Sequence, residues 1–307
     1  MAKKRKKRFP RSWPKAADSY LYHYTRAETA LTKILPNRTL RASPFVDMND
    51  PRESKAWGFS PIGYKSGDLE SQKDDDRINE LRRVDAQKAT ELAQQSTRVL
   101  CFSQDDLMRR SSSDSEHPIG RGFANSAMWA HYAGNHSGVC LVFDATLLAS
   151  AITEWYEEGD HAVRRTGWMF PGNVEYLDRE HDLTFVRGSP YVFEPDVRSL
   201  RMETLSHVGR HYRELFLQKS LDWKYENEYR YVFWAEGTEP LYVPFKDALT
   251  GIVVGENFGY YSELGRLAEA GFVRAMDNQC RDLGVQQVML WWHNGIPRVA
   301  SRSRKKW

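Results

Sequence analysis

The sequence predicts an α+β fold in a single domain. Short apolar runs typical of strands recur along the 307 residues, and amphipathic helical patterns lie between some of them. The two do not alternate strictly, as they would in a parallel βαβ sheet. No internal repeat or linker divides the chain, so we expect one domain over residues 19–297.

The residue pattern of the N-terminal part of the chain predicts two strands and a short helix. Residues 20–25 are predicted as the first strand, and residues 27–35 as a helix that a proline ends. Residues 39–43 form a second short strand, and Asn49-Asp50-Pro51 signals a turn. Residues 68–95 are highly charged with a thin apolar stripe, which predicts an exposed or peripheral helix.

The rest of the chain supplies most of the sheet. Helices are predicted over residues 127–133, 196–219 and 260–283, and residues 104–122 are predicted to be a mobile, Ser-rich loop. Apolar runs predict strands at 98–103, 138–144, 228–235, 241–244, 251–255 and 285–291.

Positive charge is concentrated at the two ends of the chain. Residues 1–11 hold seven Lys or Arg and residues 298–307 hold five, with no acidic residue in either. Removing these twelve from 44 leaves 32 basic against 41 acidic residues, a net charge of −9. We predict a flexible basic arm over 1–18 and a basic tail over 298–307. They either bind a polyanion such as nucleic acid or are merely solvated.

Other features predict a cytoplasmic protein. The three cysteines (Cys101, Cys140, Cys280) are far apart, as is typical of free thiols in a reducing compartment. There is no apolar run of about eighteen residues, and no apolar stretch follows the basic N-terminus. We therefore expect neither a membrane span nor a secretory signal.

Two short stretches carry candidate site residues. In a strand, His23 and Thr25 share one face, and so do Glu226 and Glu228. A polar pair on one face of each of two strands indicates a built site rather than a solvated edge.

Five motifs occur in a fixed order over residues 20–256. They are Tyr-His-Tyr-Thr (22–25), Asn-Asp-Pro-x-Glu (49–53), Cys-Phe-Ser (101–103), Met-Trp-x-His-Tyr-Ala-x-x-His-x-Gly-Val-Cys-Leu-x-Phe-Asp (128–144) and Trp-x-x-Glu-x-Glu-Tyr-Arg (223–230). This order resembles a bacterial family of unknown function. More distantly, the opening His-x-Thr, the short helix after it and a late Glu resemble ADP-ribosyltransferases of the DarT and diphtheria-toxin-like type.

The second resemblance implies a split mixed or antiparallel sheet with peripheral helices and NAD as substrate. It implies catalysis by Glu228 or Glu226, and a further tyrosine of the site at Tyr132 or Tyr176. It also implies a toxin or phage-defence effector that modifies a nucleic acid or a protein. An antitoxin could bind to such an effector. The residues predicted to bind NAD are His23, Tyr24, Thr25, Arg41, Ser43, Asn49, Asp50, Trp129, His131 and Tyr132.

The chemistry of the late carboxylates supports a catalytic role without the resemblance. Breaking the bond between nicotinamide and ribose builds positive charge on the sugar, as in glycoside cleavage. A carboxylate such as Glu228 stabilises that charge in the transition state, and Glu226 could orient an acceptor or act as general base. The alternative is a surface Glu paired with Arg230 or Lys224. Glu53 is a further candidate beside the Asn-Asp-Pro turn.

Alternative chemistries are less well supported. The aromatic segment 129–136 either stacks on a nicotinamide or adenine ring or only packs before a strand. His131, His136 and Cys140 lack a fourth zinc ligand, and Gly120-Arg121-Gly122 lacks the third glycine of a dinucleotide fingerprint. We expect no metal. A metal-dependent nuclease and a non-enzymatic nucleotide-binding protein stay open as rivals.

Overall fold

The computed structural model describes residues 20–54, 84, 87–109, 118–158, 168–177, 197–235, 237, 239–258 and 266–301. Its strands are β1 (Tyr20–Thr25), β2 (Thr39–Pro44), β3 (Thr97–Ser103), β4 (Val139–Asp144), β5 (Met169–Asn173), β6 (Glu175–Leu177), β7 (Gln218–Ser220), β8 (Glu228–Trp234), β9 (Leu241–Pro244), β10 (Leu249–Val254), β11 (Gln286–His293) and β12 (Ile296–Ser301).

Helices connect many of these strands. They are α1 (Ala27–Thr29, Ala30–Ile34 and Leu35–Asn37, the middle turn being π-helical), α2 (Pro51–Ser54), α3 (residues 87–96), α4 (Ser126–Tyr132), α5 (Ala145–Glu158), α6 (Val197–Phe216) and α7 (Arg266–Asp282). Single 3-10 turns occur at Phe45–Asp47, Gly122–Ala124 and Leu221–Glu226.

The strands form one large, mostly antiparallel sheet that branches at β3. One branch runs β12-β11-β10-β4-β1 and reaches β3 where Tyr22 pairs with Ser103. A second branch, β9-β2, reaches β3 at Val99. The other edge of β3 pairs with β8 along its whole length, and β5 pairs with β8. In this sheet β10 and β11 are parallel, and β6 and β7 form a separate parallel pair. The predicted α+β class is confirmed.

The sheet is covered by helices on both faces. Successive side chains of β3 point to opposite sides, so Leu100 and Phe102 lie on a first face and Val99 on a second. The first face packs against α1, α5 and α7 in one apolar cluster that includes Leu148 and Met276. The second face is buried in two separate clusters.

Those two clusters involve different strands and helices. The first joins Val99 and Val232 to α3 and α6. The second joins Tyr22 and Tyr24 of β1 to Trp129 of α4. The candidate site described below lies between them, at the N-terminal end of β8.

Several predicted boundaries shift in the structure. The helix predicted over 196–219 ends at Phe216, since the chain then extends into β7. Of the helix predicted over 68–95, the described part is residue 84 and α3. Its Ala89 and Ala93 are buried, whereas Lys88, Glu91 and Gln95 are exposed, so α3 packs by one face. Strand β12 and helix α5 were not predicted.

The predicted terminal segments are described only in part. The basic tail predicted over 298–307 begins inside β12, which ends at Ser301. The arm over 1–18, residues 302–307 and residues 110–117 of the predicted mobile loop lie outside the described residues. No helix in the described parts of the chain has the length and apolarity needed to cross a membrane.

Two glycines within helices should respond in opposite ways to the same substitution. A Cβ added at Gly209 of α6 would lie 1.8 Å from the Trp168 ring, whereas one at Gly271 of α7 would meet nothing within 4 Å. Gly209→Ala is expected to lower the free energy of unfolding by about 1–3 kcal/mol because the core must shift. Gly271→Ala is expected to raise it by about 0.5–1 kcal/mol. Urea unfolding of both variants checks this, and equal effects would contradict it.

Candidate functional site

Five charged side chains are buried together on the second face of the sheet. They are Glu53 of α2, Lys219 of β7, Glu226 at the end of a 3-10 turn, and Glu228 and Arg230 of β8. Each is at most 5 % exposed. Burying ionised groups costs several kcal/mol unless they are paired. These five form one network, the buried charge cluster, in which every member has an oppositely charged partner.

Lys219 lies at the centre of the buried charge cluster. Its Nζ is 2.7 Å from Glu226 Oε2, 3.1 Å from Glu228 Oε2 and 3.9 Å from Glu53 Oε2. The same ammonium lies 5.2 Å from the centre of the Trp223 ring. A lysine therefore occupies the position among three carboxylates that a metal ion would otherwise need.

Arg230 closes the network from the other side. Its Nη2 donates to Glu228 Oε2 over 2.8 Å, and its Nη1 contacts Glu53 Oε1 and donates to the Phe216 carbonyl over 2.7 Å. With every carboxylate ionised, three negative and two positive charges give the cluster a net charge of −1. The excess negative charge marks this place as suited to a cationic group.

Ion pairing determines the protonation states. Burial alone would raise the pKa of Glu228, but Arg230 and Lys219 lower it to about 2. Burial also raises the pKa of Glu53 more than Arg230 and Lys219 lower it. Burial opposes the charge of Lys219, yet Glu228 and the other carboxylates raise its pKa above the usual value. Glu228 is therefore ionised at neutral pH.

A shell of neutral polar groups surrounds the two late carboxylates. The Tyr132 hydroxyl donates to Glu226 Oε1 over 2.5 Å and accepts from Asn49 Nδ2 over 3.4 Å. The Tyr176 hydroxyl accepts from the backbone N–H of Glu228 over 2.9 Å. Both tyrosines that were candidates for the further aromatic position thus contact the cluster, one beside each carboxylate.

The two carboxylates are positioned by a turn rather than by the pleat of one strand. Glu226 ends a 3-10 turn, and Asn227 adopts a left-handed conformation with φ 44°. The Asn227 side chain donates to the carbonyls of Gln104 and Asp105, and Ser103 Oγ donates to the Glu226 carbonyl over 2.7 Å. The expectation that both residues belong to one strand was wrong, although both carboxylates reach Lys219.

A cavity of about 860 Å³ opens beside the cluster, and Glu228 contributes to its lining. Polar and aromatic side chains form much of the remaining wall, among them Gln104, Asn173, Tyr176 and Tyr225. A volume of this size is typical of sites for small ligands and cofactors. Glu228 is the member of the buried charge cluster that a ligand in this cavity would meet.

The structure does not bring His23 and Thr25 to this site. Their strand positions pair with Leu141 and Val139, whose side chains belong to the first face. The His23 ring lies edge-on to Phe102, with centroids 5.8 Å apart, and His23 Nδ1 lies 3.1 Å from the Cys101 carbonyl. Burial lowers the pKa of His23. Because sheet faces alternate with each residue, the pair lies on the side of the sheet opposite Glu228.

The other predicted NAD-binding residues are divided between the site and the core. Tyr24 and Trp129 are buried against each other, with centroids 5.4 Å apart. Exposed His131 stacks on Tyr225, with centroids 5.9 Å apart. Asp50 is buried at the start of α2. Two further predicted residues lie on β2, the exposed Arg41 and the half-buried Ser43.

Comparison with known proteins adds a family for part of the chain. Residues 128–231 match the model of a family described as protein of unknown function (DUF2971). The matched segment is about a third of the chain and runs from α4 into β8. It contains Tyr132 and all members of the buried charge cluster except Glu53. No curated protein and no solved structure matches the chain.

The described residues contain no group of three or more His, Cys, Asp and Glu able to hold a metal. The three residues considered as zinc ligands, His131, His136 and Cys140, lie in different environments. His131 is exposed, His136 lies edge-on to Trp292 with centroids 4.6 Å apart, and Cys140 is buried in β4.

Sequence reasoning missed both cations of the buried charge cluster. Lys219 was assigned to the end of a helix, and Arg230 was considered only as a surface partner. A usable signal was present, since Lys219 and Arg230 flank two carboxylates in a segment that leads into an apolar strand. Charged residues at a buried strand need partners, and Lys219, Lys224 and Arg230 are the basic residues close to these carboxylates.

Proposed function

We propose that the chain is an NAD-dependent ADP-ribosyltransferase with Glu228 as its catalytic carboxylate. The observation that carries this proposal is an ionised, buried carboxylate that lines a cavity and belongs to a cluster of three carboxylates and two cations. Glu228 is preferred over Glu226 because it lines the cavity, whereas Glu226 is held between Lys219 and Tyr132.

In the proposed reaction the bond between the nicotinamide nitrogen and ribose C1′ breaks. The electron pair leaves with nicotinamide, which becomes neutral, and positive charge develops on the ribose. Glu228 stabilises that charge in the transition state. The acceptor then bonds to C1′ and loses its proton to solvent, because Glu226 does not line the cavity. Tyr132 and Asn49 orient Glu226, since one hydrogen-bond chain links them.

The charge of the cluster gives the proposal a binding test. Oxidised NAD carries a positive nicotinamide ring, whereas the ring of NADH is neutral and otherwise nearly the same size. A site in which the ionised Glu228 faces the ring should therefore bind NAD at least about 10-fold more tightly than NADH, a difference of about 1.4 kcal/mol. Calorimetric titration of the wild type measures both constants. Equal affinities, or no binding of either, would contradict the proposed orientation of the ring toward Glu228.

The proposed acceptor is nucleic acid, RNA or DNA. Twelve Lys and Arg lie near the two ends of the chain, and the rest of the chain is acidic. The ends would therefore supply phosphate contacts that the rest of the chain does not. Deleting residues 1–11 and 302–307, and thus leaving β12 intact, should reduce modification of nucleic acid and flatten its salt dependence. Nicotinamide release into water should barely change. Full-rate modification with unchanged salt dependence would instead point to a protein acceptor.

One observation favours a second candidate, a nucleotide-binding protein without chemistry. Glu228 Oε2 is already shared by Lys219 and Arg230, as in purely structural ion pairs. This candidate predicts that NAD binds and stabilises the fold by mass action, while no nicotinamide is released. Measuring binding and release on one protein sample separates the two functions.

A further inference from the structure

We infer that the cavity contains a subsite, formed by Gln104 and Asn173, for a planar ring with an amide-type donor–acceptor edge. The inference rests on the proposed function and deepens it, because it names the chemistry that this end of the cavity would recognise. It starts from two side-chain amides that the buried charge cluster does not use.

Gln104 and Asn173 form one amide pair beside the catalytic carboxylate. Gln104 Nε2 donates to Asn173 Oδ1 over 2.9 Å, and both residues line the cavity. Gln104 follows Ser103, which pairs with Glu228, while Asn173 pairs with Tyr229 on the other side of β8. The amide pair therefore spans the beginning of β8, at the level where Glu228 meets the cavity.

The amide pair keeps unused hydrogen-bonding capacity. Their mutual bond leaves Gln104 Oε1 as an acceptor and Asn173 Nδ2 as a donor, and neither atom has a partner among the residues that the structure describes. Tyr176 adds a hydroxyl group. Its oxygen accepts from the backbone N–H of Glu228, and its proton has no acceptor among the residues that the structure describes. Tyr176 also lines the cavity.

The free acceptor of Gln104 and the free donor of Asn173, on two amides that are bonded to each other, complement a ligand edge that offers a donor next to an acceptor. The base-pairing edge of a nucleobase has this arrangement, and so does the carboxamide of nicotinamide. The same chemistry can thus come from the acceptor or from NAD itself.

Binding of small probes to the full chain tests the subsite. Uridine and nicotinamide carry the required edge, whereas 3-methyluridine and nicotinic acid lack its donor. Dissociation constants from ligand-observed NMR titrations are compared for the wild type, Gln104→Leu and Asn173→Leu. The control is Gln218→Leu. It removes an amide that donates to Glu175 over 3.0 Å, and neither of these two residues lines the cavity. Thermal unfolding verifies that each variant is folded.

We expect one amide-bearing probe to bind the wild type about 5- to 10-fold more tightly than its donor-less analogue. Its affinity should fall by a similar factor in both cavity variants and stay unchanged in Gln218→Leu. A loss confined to uridine assigns the subsite to the acceptor base, and a loss confined to nicotinamide assigns it to NAD. Unchanged affinities in both folded variants, or equal binding of the analogues, would overturn the subsite.

The subsite and the proposed function can fail separately. Nicotinamide release from NAD by the wild type reports on the reaction, whereas probe binding reports only on Gln104 and Asn173. Specific probe binding without release would overturn the transferase and keep the subsite. Nicotinamide release together with unselective probe binding would keep the transferase and overturn the subsite.

Discussion

Replacing Glu228 with Asp is expected to lower the rate of nicotinamide release from NAD at least about 100-fold. Aspartate keeps the charge that Lys219 and Arg230 neutralise, but it withdraws the carboxylate by about one carbon–carbon bond, roughly 1.5 Å. Misplacement of this size is enough to cost about two orders of magnitude when a group stabilises a transition state. Steady-state rates measured by chromatography of nicotinamide give the effect.

Two companion variants make the Glu228 result interpretable. Glu154→Asp shortens an exposed carboxylate that pairs with Lys246, and it should leave the rate unchanged. Glu228→Gln removes the charged partner that Arg230 and Lys219 share, so it should also cost about 3–5 kcal/mol of stability. A folded Glu228→Asp enzyme with a near-wild-type rate would transfer the catalytic role to Glu226 or end the hypothesis.

Replacing Lys219 with Met is expected to have the largest effect on stability. The change keeps most of the side-chain volume but leaves Glu53, Glu226 and Glu228 close together with Arg230 as the remaining cation of the cluster. Removing one partner from a buried ion network typically lowers the free energy of unfolding by about 3–5 kcal/mol. Urea unfolding at neutral pH measures the difference.

Lys246→Met is the matched control for the central lysine. Its Nζ lies 2.5 Å from Glu154 Oε1, but the two side chains are 44 % and 47 % exposed. Such surface pairs contribute about 0–1 kcal/mol. If Lys219→Met costs no more than this control, Lys219 does not hold the carboxylates together as the distances indicate.

Much of the fold followed from local patterns. The apolar runs of β3, β4, β8 and β9 were located to within a residue or two, because alternation and apolar content are local properties. Helix α6 was extended through residues 217–219, since helical spacing alone does not show where a chain turns back into a sheet. Strand β12 was missed because residues 298–301 were assigned to a solvated tail. That assignment was based on the basic charge of the segment and on its position at the end of the chain.

The site was predicted in part for a related reason. Glu226 and Glu228 are close in sequence, so one motif was enough to place them together. His23 lies on the opposite face because the pairing of β1 and β8 with β3 determines which residues share a side, and a single strand does not reveal that register. Glu53 joins the cluster through contacts between elements distant in sequence, which no local pattern contains.

Cleavage of NAD at the nicotinamide–ribose bond by the wild-type protein is the most direct test of the proposed function. NAD labelled in the nicotinamide ring is incubated with the purified chain and EDTA, with and without RNA or DNA, and free nicotinamide is counted over time. We predict release in molar excess over the protein, unaffected by EDTA and lowered at least about 100-fold in Glu228→Asp. NAD recovered intact under every condition, from a folded protein, would contradict the transferase.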